Sequence, residues 1–428
     1  MKALSYLIGS FRILVKGLSG LMLVYACSVQ AESVTITVAA FPALDQIIKS
    51  ALPKFNNKFP DIRVNVISRE FSDHHTAMTT AIATGSNMPD VMLLESGYMG
   101  RFADSGAFEV LSSHPYDALQ YKMQFVSFTY PQGSNTKGEL IAMPTDIGIG
   151  ALFYRKDILD KAGLKESDLT QSWESFVRSG VVIKEATGAY LVANARDLKD
   201  IVIRSKLEAN EGIYFSSKGE VLVESPRFVR AFELARTVRE NKLDARIMAW
   251  SPEWSESFKR GTVATQMMGS WFGGHLANWL APDTKGLWRT AALPDGAYAS
   301  WGGTFYAIPN KADHKAQAWE LIKFMTLDPE LQIDAFKTQD AFPALKVAHQ
   351  DDYFNQPVDF LGGQKARMLW RDMSAHTPAI PLNRLDSIAE EIINTELDKV
   401  LSGKKEIAPA LADAAKMLRH RIRHSMRQ

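Results

Sequence analysis

The chain has 428 residues, 46% hydrophobic and 23% charged, which is long enough for two packed domains and too ordinary a mixture for extended disorder. A net charge of +1 gives no general attraction to nucleic acid or to an anionic membrane surface, so no nucleic-acid partner is expected.

The N-terminus reads as an export signal over residues 1–31. Arg12 and Lys16 precede the apolar run Leu18–Ala26, which has signal-peptide length but is too short to span a bilayer comfortably. Val29-Gln-Ala31 places small residues where a signal peptidase reads, predicting cleavage before Glu32 and a periplasmic mature chain. Cys27, the single cysteine, falls inside that signal. A lipid anchor on Cys27 is the weaker alternative, because bulky Tyr25 fits a lipobox poorly.

From there the chain alternates strand and helix. Val34–Ala39 is a strand of alternating β-branched residues, and Leu44–Phe59 repeats apolar residues at helical spacing until Pro60 stops it. Ile62–Ile67 is a second strand. A helix through Ala77–Ala83 ends at Gly85, and Pro89–Leu94 is a buried-type strand. This order is the signature of a parallel α/β sheet. Ligands of such sheets sit beyond the carboxyl ends of strands, which points to Phe41, Ser72 and Glu95.

Ile141–Pro144 leads through Thr145-Asp-Ile-Gly-Ile-Gly150 to a strand Ala151–Tyr154. The glycines have neither dinucleotide nor P-loop spacing, and no helix begins there. Helices follow at Asp157–Ala162, from Trp173, and over Phe228–Asn241 and Pro252–Lys259. Lys315–Leu327, Ser387–Leu401 and Ile407–Arg423 complete the helical pattern, the last running into a solvated basic end.

Two tryptophans stand out. Trp271 closes Gly261-Thr-Val-Ala-Thr-Gln-Met-Met-Gly-Ser-Trp271, and Trp301 opens Trp-Gly-Gly-Thr-Phe-Tyr-Ala-Ile-Pro-Asn310. Each joins an apolar strand to a ring beside small residues, where a flat ligand can approach; core filling is the competing explanation. Trp250 flanks Pro252 together with Trp254, and either could line a cleft or pack a helix. Trp370 lies in a helical segment, where a core position is the default.

These blocks resemble the extracellular solute-binding proteins of carbohydrate ABC importers, the group that includes maltose-binding protein. The resemblance rests on Phe55-Asn-Asn-Lys-Phe-Pro60, Thr84–Val91, and Met143-Pro-Thr-Asp-Ile-Gly-Ile-Gly-Ala-Leu-Phe-Tyr-Arg-Lys-Asp157 continuing to Lys161–Leu164 and Trp173. Phe258–Trp271, Ala307–Asn310, Ala318–Met325 and the closing helix extend it over nearly the whole mature chain. It implies an α/β, two-lobe periplasmic-binding-protein fold with a central cleft and crossing strands near Pro144-Thr145, Gly302–Thr304 and Pro343. The first lobe would comprise 32–144 and 303–342, the second 145–302 and 343–428. A sugar would be held in the cleft and passed to an ABC permease pair with its ATPase, the receptor acting as a monomer without cofactor or metal.

Such a cleft needs hydrogen-bonding side chains for hydroxyls and aromatic planes for C–H faces. Phe41, Glu95, Asp146, Trp250, Trp271, Trp301, Gly302 and Trp370 are the candidates. Nine tryptophans lean towards a di- or oligosaccharide. A secreted glycoside hydrolase would use the same residue types, with two carboxyls across the scissile bond. A receptor for glycerol phosphate, a polyamine or iron would instead show an anion or metal cluster. Adjacent His74 and His75 do not form a facing ligand pair, and neither a zinc motif nor a GxSxG elbow is present.

Overall fold

The computed structural model describes residues 33–208 and 211–425. The export signal, its cleavage point and Cys27 lie outside the described residues.

Strand β1 (Val34–Ala40), helix α1 (Leu44–Lys58), β2 (Ile62–Ser68), α2 (Phe71–Thr84), β3 (Val91–Glu95) and α3 (Ser96–Ala103) open the fold. β1 pairs in parallel with β2 on one side and β3 on the other. α1 covers this sheet with Ile47, Ile48, Ala51 and Phe55, its apolar stripe. α2 ends on Gly85 in the left-handed conformation, φ 68°, which only glycine adopts without strain.

The four later strands are β4 (Ala142–Arg155), β5 (Thr265–Gly269), β6 (Trp288–Ala291) and β7 (Ser300–Ala307). The order is β2-β1-β3-β7-β4-β5, with β6 also on β4. The first half of β4 runs antiparallel to β7, and its second half to β5 and β6. One strand thus belongs to two sheets, and the fold is the expected α/β two-lobe architecture.

Buried packing runs across both sheets. Ile36, Val38, Ile48 and Phe55 belong to a core that also reaches Phe153, Trp254 and Trp288. Leu152, Tyr154, Phe176, Phe232, Leu397 and Leu418 belong to another. Leu152 and Phe153 face opposite ways because successive strand residues alternate between faces.

β4 extends the expected strand Ala151–Tyr154 back to Ala142: it is a single 14-residue strand. Pro144 cannot donate to the ladder, and the register shifts between Pro144 and Asp146 instead of the strand ending there. The three expected crossings lie side by side. Asp146 pairs with Thr304 of β7 and bridges to Pro343, while Ile147 N–H donates to Phe342 O at 2.9 Å.

An additional helix, Ala195–Arg204, had a readable start. Asn194 caps it by accepting from Arg196 N–H, and Asp197 completes a capping box. It buries Leu198, Ile201 and Val202, and its last residue delivers Arg204 to the crossing strands.

Candidate functional site

Where α3, β7 and the helix Asp386–Leu401 converge, a cavity of about 60 Å³ remains. Its wall includes Ser96 and Gly97 at the start of α3, Gln132, Arg204, Tyr214, Gly302 and Glu390. Gln132 Nε2 donates to Ser300 Oγ at 2.9 Å, fixing the wall beside β7. On one side α3 closes tightly: a Cβ on Gly100 would lie 2.4 Å from the Asn383 carbonyl oxygen.

Two polar atoms of this wall, Arg204 Nε and Tyr214 Oη, are buried without a hydrogen-bond partner, as are Asp146 Oδ1 on β4 and Tyr306 Oη on β7. Buried polar groups are ordinarily satisfied, so these need an explanation. Arg204 lies over the Trp301 ring at 5.1 Å. Burial works against its charge, but Glu390, Tyr214, Asp200 and Glu95 more than offset that and raise its pKa.

Asp146 sits on the crossing strand, its carboxyl pushed up to about 6 by burial, with Glu95 adding to the rise and Thr304 opposing it. Tyr306 is fully buried, and burial with Asp146 nearby raises its hydroxyl pKa. Asp386 at the start of the helix Asp386–Leu401 is raised to about 7 by burial, against the pull of Asn383 and Arg204.

Glu95 ends β3 and caps α3. It accepts from Gly97 N–H at 2.7 Å and Ser96 Oγ at 2.8 Å, and burial raises its pKa. Its own N–H donates to His75 Nε2 at 3.2 Å. That bond needs a neutral ring, and burial lowers His75 to about 4. His75 also stacks on Tyr98 at 3.8 Å.

Phe41 is buried behind this group, its ring 5.3 Å from Phe71 and 5.5 Å from His75. It backs Glu95 through His75 and is not part of the cavity wall. Ser72 is exposed in the first turn of α2, not at a strand end. The His74 and His75 rings meet edge-on at 4.9 Å, and no group of three metal-ligating side chains occurs among the described residues.

The tryptophans separate into two sets. Trp271 follows β5 and its Nε1 donates to the Trp301 carbonyl at 3.1 Å. A Cβ on Gly302 would come within 2.9 Å of that nitrogen, and Gly302 holds φ 93°, so bare backbone is required there. Gly302 also lines the cavity. Trp250 is exposed and offset-stacked on Trp271, 6.1 Å between centroids.

Trp254 is fully buried and donates to Gln266 Oε1 at 3.3 Å. Trp370 is also buried, donating to Thr290 Oγ1 at 3.4 Å with its ring near Phe153. The structure does not bring it to the cavity, because the helix Ala366–Ser374 turns it into the core.

Arg204, Tyr214, Asp386 and Glu390 were not singled out from sequence. The capping box at Asn194 marks the helix that carries Arg204, but nothing local says where its end points.

A family model for bacterial extracellular solute-binding proteins matches residues 50–361. The lactose-binding protein of Rhizobium radiobacter is 25% identical over 386 residues, covering 86% of this chain and 89% of that protein. The arabinooligosaccharide-binding protein of Bacillus subtilis strain 168 is 21% identical over 319 residues, covering 71% and 72%. A solved extracellular solute-binding protein of family 1 superposes with a TM-score of 0.78 at 22% identity, covering 90% of this chain and 99% of that one. The sugar-binding protein MalE of Xanthomonas citri gives 0.74 at 18% identity, covering 92% and 100%.

Proposed function

The chain belongs to the bacterial extracellular solute-binding proteins, and from that premise we propose that it captures a di- or oligosaccharide in the periplasm and delivers it to an ABC importer. The observation that carries this reading is the pair of unpartnered atoms in the cavity wall, Arg204 Nε and Tyr214 Oη, with the Arg204 guanidinium lying over the Trp301 ring. Sugar hydroxyls are donors and acceptors at once, and a site that meets them with buried groups discriminates against a ligand lacking one. The relatives named for lactose and arabinooligosaccharides support the same class.

Asp146 accepts from a hydroxyl, Arg204 donates to one, and Glu95 adds an acceptor held by its cap. Trp271 and Trp301 take the C–H faces, and Gly302 leaves room for the approach. Phe41 acts indirectly, by holding His75 against Glu95. Trp370 packs the second lobe.

The lobes divide as 32–144 with 303–342, and 145–302 with 343–428. A cavity of about 60 Å³ is far below the roughly 300–1,000 Å³ of ligand pockets, so the lobes part to admit sugar and close again around it. A ligand that touches both lobes only when they are closed shifts the population towards that form. The closed form docks as a monomer on a permease pair whose ATPase drives uptake, and the receptor returns the sugar chemically unchanged. Export through residues 1–31 supplies the periplasmic location.

A thermal-shift series on the chain from Glu32 tests this, with mono- and oligosaccharides, glycerol phosphate and polyamines as ligands. One sugar class raises Tm with concentration, and the sugar is recovered intact. A response to glycerol phosphate or a polyamine alone refutes the sugar assignment and leaves the family membership standing.

A further inference from the structure

Beyond the cavity, Trp271 is the first of three near-parallel indoles. Trp250 lies 6.1 Å from it at 20° between planes, and Trp279 lies 6.5 Å from Trp250 at 21°. Those spacings are offset stacks, in which each ring leaves part of its face uncovered. Trp250 is 54% exposed and Trp279 is 53% exposed, beside Met248 at 52%. Large apolar side chains gathered in this way at a surface mark a binding face.

Two further features concern how the face is built. Trp250 holds φ 68°, a conformation that a bulky side chain adopts only when its surroundings impose it. His275 fills the space beneath the row, 5.0 Å from Trp271, 6.1 Å from Trp250 and 5.5 Å from Trp279.

The edge of the row is polar. Asn278 Nδ2 donates to Asp340 Oδ2 at 3.4 Å, next to Trp279 in sequence. Asp340 follows the helix Pro329–Gln339 and reaches across to Gly274, where an added Cβ would lie 1.9 Å from its Oδ2. An open apolar plane with a carboxylate and an amide at its rim matches a pyranose or furanose ring, whose faces are C–H and whose rim is hydroxyl. A purely apolar partner segment would leave that rim unsatisfied.

The row also begins next to the cavity: Gly302 lines the cavity, and a Cβ added to it would lie 2.9 Å from Trp271 Nε1. We propose that Trp250 and Trp279 form an outer subsite that stacks the further units of an oligosaccharide whose first units occupy the cavity, so that the receptor prefers longer chains to disaccharides. This rests on the sugar reading above and specifies its length class.

The test is calorimetric titration of the mature chain with two length series: galactose, lactose and galactosyl-lactose tri- and tetrasaccharides, and arabinan-derived oligosaccharides of two to five units. In the wild type, affinity within the bound series rises by about tenfold from dimer to tetramer, the scale of one aromatic stacking contact. In Trp250→Ala and Trp279→Ala that ratio falls towards one, whereas in Trp271→Ala the affinities for all lengths fall together. Circular dichroism melts of the same variants confirm that they are folded.

A series that binds the wild type with its length ratio unchanged in Trp250→Ala and Trp279→Ala overturns the outer subsite and leaves the sugar reading intact. Binding of neither series by the wild type removes the sugar reading and this proposal together. A concentration-dependent dimer in sedimentation that is lost in Trp250→Ala assigns the face to a second copy and overturns the proposal as well.

Discussion

Trp254, Trp288 and Trp370 differ from Trp250, Trp271 and Trp279 in what covers their rings. The first three are buried, and each indole N–H meets a side-chain acceptor: Gln266, Thr284 at 2.9 Å, and Thr290. In the second set Trp271 spends its N–H on a backbone carbonyl of the crossing strand, and Trp250 and Trp279 show half their surface to solvent. A tryptophan in a core is closed by protein on every side. One left open beside a cleft, with strain in its backbone, is placed for something that arrives later.

Removal of rings separates the sets most strongly. Trp288→Ala deletes a fully buried indole and leaves Thr284 Oγ1 without its donor, a loss of about 3–5 kcal/mol from cavity formation. Chemical denaturation should show a lower midpoint, with ligand affinity retained by the fraction that stays folded. A loss confined to affinity would place Trp288 with the open set.

Gly302→Ala sharpens the comparison at the joint between ring and strand. A Cβ there must accept φ 93° and press to 2.9 Å from Trp271 Nε1, so about 1–3 kcal/mol of strain is expected. Because the displaced ring belongs to the open set, sugar affinity should fall along with Tm. Loss of Tm with wild-type affinity would show that Trp271 is not a sugar contact.

How far these assignments were legible follows from what is local. The β1-α1-β2-α2-β3 order is carried by alternation, helical spacing and the stops at Pro60 and Gly85, and it appears in the fold with boundaries nearly as read, except that α2 begins at Phe71, well ahead of the expected Ala77, and takes in Ser72. Trp271, Trp301 and Gly302 also carry local signals, a strand end beside small residues. Phe41 sat at the expected strand end, yet its ring turned inward, because Phe71 and His75 of α2 supply a packing surface that no local pattern discloses. Trp370 had helical context and went to the core. Arg204 and Tyr214 meet Glu390 from a distant part of the chain, and Asp340 meets Asn278 across 62 positions. Such pairings are products of tertiary packing, which one sequence does not spell out.

The crossing strand gives a pH test between a carboxyl held for structure and one held for ligand. The Asp146 pKa is raised to about 6 in the folded chain, against roughly 3.9 unfolded. Between those values the native state binds the extra proton, so this group's contribution to stability declines as pH rises through about 6. Asp146→Asn should therefore stabilise the unliganded protein relative to wild type at pH 7.5, and the difference should shrink by pH 5. Sugar binding runs the other way: the ionised carboxylate is the stronger acceptor, so wild-type affinity falls several-fold between pH 7.5 and 5 and approaches that of the variant. A calorimetric pH series in which both proteins show the same slope would remove Asp146 from the ligand contacts.

The smallest expected change is the one that most directly separates fold from function. Trp250 holds φ 68°, where a bulky side chain is strained and glycine is not. Its ring is half exposed, so little buried area is lost with it. Trp250→Gly therefore exchanges relief of local strain, of order 1 kcal/mol, for the greater freedom of glycine in the unfolded chain and the loss of an offset stack on Trp271. The balance should leave Tm within about 2 °C of wild type for a chain of this size, while the preference for longer sugars disappears. Trp254→Gly, one turn along the same segment, has no strain to release and loses a fully buried indole, so it should unfold several degrees lower. If the two glycine variants were destabilised alike, Trp250 would be a packing residue, and the distinction between closed and open tryptophans would not hold at this position.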